Sequence, residues 1–472
     1  MTRGATAIVD VGKTNAKLTL WDDQGQVVAR RNRANAQAHG SGYRALDVAG
    51  IEAWMVAVLR EFATLAEVQA IVPVAHGAAA ALIHDGALFA PPMDYEDEGG
   101  GADRAAYAAG RDPFAATGSP ALPQGLNLGF QLHRLEALTA PWPDALQIVT
   151  WPQYWAWRLS GVAASEVSSL GCHSDLWSPA RGGPSGLSLA HGWAGRFAPL
   201  RHAKEVLGRI TPEWTELTGL PVTCAVHCGL HDSNAALLAA RGYGEIAAGD
   251  ATVLSTGTWF VAMRSPAAGA GPLAVSSLAE DRDCLLNVDV DGQPVPSARF
   301  MGGREAELIA GADAIRLTEN EAPEALSARL SRLVAEGVSV LPSFAAGTGP
   351  FPRHRGRWVG TPQTGMDRAA AIGLYLALMA DEMLDLIGSR DRLLIEGRFA
   401  GSDVFVRALA TLRPGQRVYV SGTQDQGSYG ALRLVHPDLP PPSRLRLAQG
   451  VDVRLDRDRA AWRGALRTER HD

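Results

Sequence analysis

A lone carboxylate at the start of a predicted helix is the residue of this sequence best suited to act as a general base. Asp232 follows a strand-like run that ends at Cys228, and it directly precedes an Ala- and Leu-rich segment that begins at Ser233. An aspartate in this place is also a good helix N-cap, which would hold the carboxylate rigid and ionised near the positive end of the helix. The two interpretations are compatible, because a group that accepts a hydroxyl proton must above all be held in position.

Two turns of similar composition have the character of phosphate-binding loops. Gly12–Asn15 interrupts the strand-like run AIVDVGKTNAKLTLW, and Ser255–Thr258 interrupts TVLSTGTWFVAM in the second half of the chain. Turns of glycine and threonine leave backbone N–H groups directed to one point, which suits a phosphate. The separation is far too long for a solenoid repeat. The pattern predicts a chain of two related halves, each opening with a β-hairpin.

Lysine is rare in this chain, and its placement is informative. The 44 basic residues include only Lys13, Lys17 and Lys204 as lysines. Two of them flank the first glycine turn. Chance placement on a solvated hairpin is one explanation. We favour the other, in which a compact ammonium group is placed beside a polyphosphate.

Several other polar and aromatic groups have competing explanations. His76 ends a predicted buried strand, where α/β sheets place ligand contacts, although a lone histidine is often structural. The cluster Cys224, His227, Cys228 and His231 lacks the second pair that structural zinc usually uses, so we predict no zinc site. The aromatic run from Trp151 to Trp157 is interpreted as a helix packed in the core. Asp97 and Glu98 are interpreted as a solvated acidic loop.

The composition is that of an ordinary globular enzyme. A chain of 472 residues is too long for one core, so two domains are expected. The hydrophobic and charged fractions are 46% and 20%, and the formal charge of −6 argues against a nucleic-acid partner. No export signal or membrane-spanning run is evident. We therefore expect a soluble, cytoplasmic protein with no membrane partner, and leave the oligomeric state open, with a homodimer as one option.

Three motifs together resemble the FGGY family of carbohydrate kinases. They are Asp10-x-Gly12-x-Thr14, Gly229-x-x-Asp232 and Ser255-Thr256-Gly257-Thr258, whose order and spacing match that family over roughly residues 5–440. The pairs His231-Asp232 and Thr258-Trp259 are most similar to rhamnulokinase and fuculokinase-like members. The resemblance implies an α/β fold of two actin-like (ribonuclease H-like) ATPase domains with mixed sheets flanking a catalytic cleft. The expected ranges are 1–242, 243–440 and a charged extension, 441–472.

The resemblance also implies an activity and a set of site residues. The activity is ATP-dependent phosphorylation of a ketose such as rhamnulose, fuculose or xylulose, or of a related polyol, with Asp232 as the base. Contacts to the small-molecule sugar are expected from His76, Asp94, Tyr95, Gln153, His231 and Ser233. The nucleotide and its phosphates are assigned to Gly12, Lys13, Thr14, Asn15, Lys17, Thr256, Gly257, Thr258, Arg299, Gly397 and Phe399. Asp10 is expected to orient Mg²⁺ through water.

The chain departs from the family pattern at three places. Gln153 stands where relatives carry an acidic residue, and Arg299 and Glu307 stand where rhamnulokinases carry an Asn and a Gln. The adenine-binding glycine run is reduced to Gly397 and Gly401, so Phe399 is predicted to stack on the base and to tolerate GTP or ITP. Two alternatives follow: a catalytically silent sugar- or nucleotide-binding regulator, and an actin-like ATPase of chaperone or filament type. A closing helix is predicted over 423–434.

Overall fold

The computed structural model describes residues 2–267, 275–311, 317, 320–422 and 426–468. The chain divides into two compact units, each assembled from segments that are separate in sequence. Unit 1 comprises Met1–Gly242, Leu286–Pro294 and Asp425–Pro442. Unit 2 comprises Tyr243–Leu285, Val295–Gln424 and Ser443–Asp472.

The strands alternate with helices along most of the described chain. The strands are β1 (Thr2–Val11), β2 (Asn15–Asp22), β3 (Val27–Ala34), β4 (Gln37–Gly40), β5 (Tyr43–Leu46), β6 (Ala66–Ala75), β7 (Ala80–His84), β8 (Ala87–Ala90), β9 (Gln147–Thr150), β10 (Trp177–Ser178), β11 (Gly183–Pro184), β12 (Val206–Arg209), β13 (Ala225–His227), β14 (Leu230–His231), β15 (Ala251–Thr256), β16 (Phe260–Ser265), β17 (Cys284–Val288), β18 (Pro294–Phe300), β19 (Ser339–Leu341), β20 (Arg357–Val359), β21 (Arg392–Gly397), β22 (Arg417–Val420) and β23 (Arg446–Leu447). The helices are α1 (Val48–Leu65), α2 (Gly101–Gly110), α3 (Phe114–Thr117), α4 (Leu128–Thr139), α5 (Trp151–Ser160), α6 (Val167–Leu170), α7 (Gly186–Ala190), α8 (Pro212–Thr218), α9 (Asp232–Ala240), α10 (Gly244–Ala247), α11 (Gly302–Ala310), α12 (Pro323–Ala335), α13 (Gly365–Leu386), α14 (Asp403–Leu412), α15 (Gln426–Val435) and α16 (Asp456–Thr468).

The main sheet of unit 1 is mixed. Its strand order is β12-β13-β6-β1-β2-β3, with β14 also paired to β6. The hairpin β1–β2 is antiparallel and continues antiparallel into β3, whereas β6 is parallel to β1, β13 and β14. The carboxyl ends of β1, β6 and β14 therefore meet at one edge of the sheet, where ligands of α/β proteins usually bind.

The same arrangement recurs in the main sheet of unit 2, whose order is β17-β18-β16-β15-β21-β22-β23. Here β15 and β16 form the antiparallel hairpin, β18 continues it, and β21 and β22 run parallel to β15. The order β3-β2-β1-β6-β13 in unit 1 thus corresponds to β18-β16-β15-β21-β22 in unit 2. The prediction of two related α/β halves with mixed sheets is confirmed.

Helices cover both faces of the unit 1 sheet, which explains its near-continuous apolar strands. On one face, alternate residues of β1 and β2 pack with α1 and with the aromatic helix α5. On the other face, Ile8 and Val72 pack with α9 and α15. Trp151, Tyr154 and Trp155 are at most 2% exposed, so the core interpretation of this aromatic run is confirmed.

The helix that begins at Asp232 is held against the sheet by α15. A side chain at Gly430 would lie 1.8 Å from the backbone oxygen of Ala235, so the two helices approach at backbone distance. The apolar residues Tyr429, Ala431 and Leu432 share a buried cluster with Ala235 and Ala239. The small residues of α9 therefore allow α15 to pack closely against it and to hold α9 in position.

The compact units do not follow the predicted ranges 243–440 and 441–472. Helix α15 belongs to unit 1, because it packs on α9, and the tail from Ser443 belongs to unit 2. Trp462 of α16 is 3% exposed and donates its indole N–H to the backbone oxygen of Val340 at 2.8 Å. The tail is therefore a packed part of unit 2. Residues 423–425, with which the predicted closing helix begins, lie outside the described residues.

Candidate active site

The turn Gly12–Thr14 joins β1 to β2. It is held by an asparagine from the connection between β3 and β4. Asn35 donates its side-chain amide to the backbone oxygen of Gly12 at 2.9 Å, and its backbone N–H to that of Thr14 at 2.8 Å. Asn15 is the first residue of β2. Asp10 and Lys17 are cross-strand partners, and Lys17 Nζ lies 3.6 Å from Asp10 Oδ2. One carboxylate and one ammonium group thus flank this turn.

Lys13 and Asp94, which were predicted to serve different ligands, form an ion pair with each other. Asp94 is 1% exposed, and its second oxygen accepts the backbone N–H of Glu96 at 2.9 Å. Lys13 Nζ also lies 5.4 Å from the ring centre of Tyr95. The pair joins the first turn to the acidic segment, so the charge of Lys13 is already balanced within unit 1.

Asp97 is not a solvated loop residue, and that interpretation was wrong. Its side chain forms a buried ion pair with Arg134, and it accepts the backbone N–H of Arg44 at 2.7 Å. Glu98 is exposed, as expected. Asp97 therefore ties the acidic segment to α4.

His76 is the strongest sign of a ligand in unit 1. It follows β6 directly and is 8% exposed, yet neither ring nitrogen has a hydrogen-bond partner among the described residues. Burial lowers its pKa to about 3, and the charge of Lys13 acts in the same direction. The imidazole is therefore neutral, with one N–H donor and one acceptor. Buried polar groups are nearly always paired, so this ring fits a hydroxyl-bearing ligand.

Asp232 is the first residue of α9 and not its N-cap, which corrects the prediction. The N-cap is His231, the last residue of β14. Asp232 Oδ1 accepts the backbone N–H of Ser233 at 2.6 Å and the Ser233 hydroxyl at 3.2 Å, and lies 3.2 Å from His231 Nε2. Ser233 and His231 therefore orient the carboxylate from two sides.

The environment of Asp232 makes it a better base than predicted. The Asp232 side chain is 40% exposed, and the rest of its surface is covered by protein. This burial raises the pKa of Asp232 to about 6. The hydrogen bonds from Ser233 and the charge of Lys17 oppose the rise. Contact of the exposed part of the side chain with water further limits the rise of the Asp232 pKa. A carboxylate with a raised pKa accepts a proton more readily, contrary to the expectation of a strongly ionised cap.

His231 contacts Asp232 as a neutral imidazole. Burial lowers its pKa to about 4, below that of Asp232. Asn234 donates its amide to the backbone oxygen of Val288 at 3.1 Å and lies 3.4 Å from His231 Nδ1. Nδ1 is thus the acceptor, which places the proton on Nε2, 3.2 Å from Asp232 Oδ1. No local pattern indicates this role of Asn234, because Val288 is remote along the chain.

Gln153 has a positioning role, not the sugar contact that was predicted. It is fully buried, and its Nε2 donates to the backbone oxygens of Cys228 at 3.2 Å and Gly229 at 3.1 Å. Its Oε1 accepts the hydroxyl of Thr150. Both ends of the amide are used by the protein, so Gln153 fixes the turn that leads to Asp232.

In unit 2, the second predicted turn joins β15 to β16 and is built differently from the first. The Thr256 hydroxyl donates to the backbone oxygen of Glu396 at 2.5 Å and accepts the backbone N–H of Phe399 at 3.0 Å. It therefore holds the end of β21 and is not available to a nucleotide, which corrects that assignment. Thr258 is exposed. A side chain at Gly303 would lie 2.1 Å from the Gly257 oxygen, so α11 begins against the turn.

Phe399 and Arg299 were wrongly assigned to the nucleotide. Phe399 is 0% exposed and packs edge-on against Phe260, with the ring centres 5.1 Å apart, so it belongs to the core. Arg299 donates to Asp283 at 2.8 Å, and its guanidinium lies 4.9 Å from the ring centre of Trp259. Both side chains are engaged within unit 2.

The close backbone approach expected at Gly397 is present. Gly397 has a φ of +84°, and a side chain there would lie 2.4 Å from the backbone oxygen of Thr256. Only glycine fits such a position without displacing the neighbouring strand. The residue is exposed, so the backbone at the end of β21 remains open to a ligand.

Comparison with solved structures identifies the family. A carbohydrate kinase from Novosphingobium aromaticivorans is 47% identical, over 99% of this chain and 99% of that one, with a TM-score of 0.93. The family model described as carbohydrate kinase FGGY, C-terminal domain, matches residues 248–442. This chain belongs to the FGGY family of carbohydrate kinases. A search of curated proteins finds no match.

More distant structures share the fold. A xylulose kinase from Rhodospirillum rubrum is 20% identical, with a TM-score of 0.75 over 99% of this chain and 100% of that one. A glycerol kinase from Plasmodium falciparum, solved with ADP, is 12% identical, with a TM-score of 0.77 over 98% of each chain. The predicted pair of actin-like domains is confirmed. The kinase class is confirmed by the 47% identical relative and the family model, which argues against the chaperone or filament ATPase.

The residues present fit the metal that an FGGY kinase would be expected to use. Mg²⁺ commonly binds through one or two carboxylates, substrate phosphates and water. Asp10, with a side chain 19% exposed at the first turn, offers one such carboxylate. The residues that the structure describes contain no group of three or more His, Cys, Asp or Glu side chains able to enclose a metal ion. A search of the same residues for a helix that could span the membrane finds none.

Proposed function

We propose that this kinase transfers the terminal phosphoryl group of ATP to a hydroxyl of a ketose such as rhamnulose, fuculose or xylulose, or of a related polyol. The observation that carries the proposal is the setting of Asp232. Among the described residues, the hydrogen bonds to its side chain come from Ser233 and go to Oδ1, which also lies 3.2 Å from His231 Nε2. Oδ2 is then the oxygen that receives the proton of the sugar hydroxyl.

The sugar is assigned to the polar groups around the end of β6. The ring nitrogens of His76 have the capacity to donate one hydrogen bond and accept another, as vicinal hydroxyls require. Tyr95 packs edge-on against His76, with ring centres 5.8 Å apart, and supplies an apolar wall. Asp94 acts through its ion pair with Lys13, so we assign it a supporting role.

The phosphates are assigned to the two glycine turns and to Lys17. Lys17 is 43% exposed, so its ammonium can reach a ligand, whereas Lys13 is 18% exposed and paired. Gly257 is partly exposed and Thr258 is exposed, so both are accessible members of the second turn. Asp10 would hold Mg²⁺, which when bound neutralises charge that develops on the transferred phosphoryl group. Because the reaction consumes ATP, we place it in the cytoplasm.

A panel of ketoses and polyols tests the proposal. Purified protein with ATP and Mg²⁺ is incubated with each compound, ADP is measured, and the phosphorylated carbon is read from the ³¹P and ¹³C spectra. We expect ADP to form only with one or a few of the sugars and in equal amount to sugar phosphate. Sugar-independent ADP release, or no product with any compound of the panel, would contradict the proposed activity.

A further inference from the structure

The segment that precedes Asp232 cannot fix the base by its own secondary structure. Strand β14 has only two residues, paired with β6 at Val74 and Ala75. Before it, Gly229 has a φ of +77°, in a conformation open mainly to glycine. A misplacement of about 1 Å at a reacting group can reduce turnover about a hundredfold, so other groups are needed to hold this segment.

Glu166 is a buried carboxylate on a neighbouring element, and the mechanism above does not use it. It is 0% exposed and is the N-cap of the short helix α6. Its oxygens accept the backbone N–H groups of Ser168 and Ser169 at 3.0 Å each, and the hydroxyls of the same residues at 2.6 and 3.1 Å. Burial raises its pKa to about 7, and these four hydrogen bonds oppose the rise.

The hydrogen bond between Glu166 and Ser168 sets the polarity of the Ser168 hydroxyl. Because the hydroxyl donates its only proton to Glu166, its lone pairs are left to accept. The backbone N–H of His231 donates to this oxygen at 3.4 Å, a long hydrogen bond. This hydrogen bond fixes the backbone of His231, the residue before Asp232. The imidazole of His231 also lies 3.2 Å from the Asp232 carboxylate.

We infer that Glu166 is a positioning residue for the catalytic base, acting through Ser168 on the backbone of His231. Gln153 holds Cys228 and Gly229 from α5, and Glu166 holds His231 through α6. The two buried side chains fix the approach to Asp232 at two successive points. The inference rests on the proposed role of Asp232 and adds a residue that never touches the substrate.

Ser168 and Ser169 offer a matched pair of variants for the test. Both hydroxyls donate to Glu166, but only that of Ser168 contacts His231. We expect Ser168→Ala to lower kcat about tenfold and Glu166→Gln about tenfold to a hundredfold, with sugar KM within about threefold of wild type. Ser169→Ala should stay within about twofold in both constants. The Glu166→Gln/Ser168→Ala double variant should be no slower than Glu166→Gln, because one path carries both effects.

Three results would contradict the positioning role of Glu166. Equal kcat losses in Ser168→Ala and Ser169→Ala would mean that Glu166 only stabilises α6, and so would additive losses in the double variant. A kcat of Ser168→Ala within about twofold of wild type would overturn the inference even if Glu166→Gln fails to fold, which thermal unfolding would reveal. Failure of the proposed function has another signature, since Asp232→Asn would then keep its turnover whatever these variants do.

Discussion

Burial moves the pKa values of Asp232 and His231 in opposite directions, because it disfavours the charged form of each group. The carboxyl rises to about 6 and the imidazole falls to about 4. Near neutral pH the pair therefore consists of an ionised carboxylate and a neutral imidazole, 3.2 Å apart. No ion pair with His231 then depresses the basicity of Asp232, and the hydrogen bonds from Ser233 orient the carboxylate.

The first prediction concerns the pH dependence of turnover. Asp232 accepts a proton only when ionised, so kcat should be full above its pKa and fall as the pH drops through about 6. A pH profile of kcat with saturating sugar and ATP measures this limb. A limb at the ordinary aspartate value of 3.8 would show that the raised pKa does not govern the reaction.

The second prediction separates the three lysines. Lys17→Ala should raise the KM for ATP or lower kcat about tenfold, the worth of roughly 1.4 kcal/mol, with unchanged thermal stability because Lys17 is 43% exposed. Lys204→Ala is the control and should match wild type. Lys13 is unsuitable for this comparison, because its loss would leave Asp94 buried without its partner. Equal effects at Lys17 and Lys204 would remove the phosphate assignment of Lys17.

At this scale, residue types suggest the chemistry but do not reveal the partners. The position of Asp232 before a helix indicated a base, and glycine with lysine indicated a phosphate turn. The Lys13–Asp94 and Arg134–Asp97 pairs join residues far apart in the chain, and their formation depends on the packing of whole elements. A local pattern therefore assigned Asp97 to solvent and Lys13 to a ligand.

At the scale of elements, hydrogen bonds at the end of β21 direct the Phe399 side chain into the core and away from the predicted adenine site. The Thr256 hydroxyl holds the backbone of Glu396 and Phe399, which turns Phe399 into the core beside Phe260. The expectation that Phe399 stacks on the base, with GTP and ITP as tolerated donors, therefore loses its foundation. The direction of a side chain at a turn depends on such hydrogen bonds, which cannot be predicted from residue types alone.

The third prediction tests the glycine requirement at this turn. Gly397→Ala should lower the free energy of unfolding by about 1–3 kcal/mol, the cost of a left-handed backbone at a non-glycine residue, and should reduce kcat as β15 and β21 separate. Denaturant unfolding measures the first effect. Gly401→Ala is the matched control, since a side chain at Gly401 would have no neighbour within 4 Å. Equal stability of the two variants would contradict the packing argument.

At the scale of the whole molecule, each unit is built from segments that are distant in sequence. The recurrence of a hairpin tipped by glycine and threonine predicted the two halves correctly, because strand pattern is local. Membership of α15 in unit 1 and of the tail in unit 2 is set by long-range packing. The run Pro440–Pro442 marked a break in the chain but gave no information on the unit to which the following residues return.

The fourth prediction concerns that tail. Trp462→Ala should lower the free energy of unfolding by about 3–5 kcal/mol, because the indole is buried and bonded to Val340. Arg467→Ala, at an exposed position of the same helix, should change it by less than about 0.5 kcal/mol. Denaturant unfolding of the full chain compares them. A wild-type transition in Trp462→Ala would show that α16 does not stabilise unit 2.

The most direct test of the account is the turnover of Asp232→Asn. This change keeps the size of the side chain and its contacts with Ser233 and His231 while removing the proton acceptor. We expect kcat for ATP-dependent sugar phosphorylation to fall by roughly 10²–10⁴, with sugar affinity little changed. Turnover within a few-fold of wild type would show that Asp232 only supports the start of α9, and would contradict the proposed mechanism.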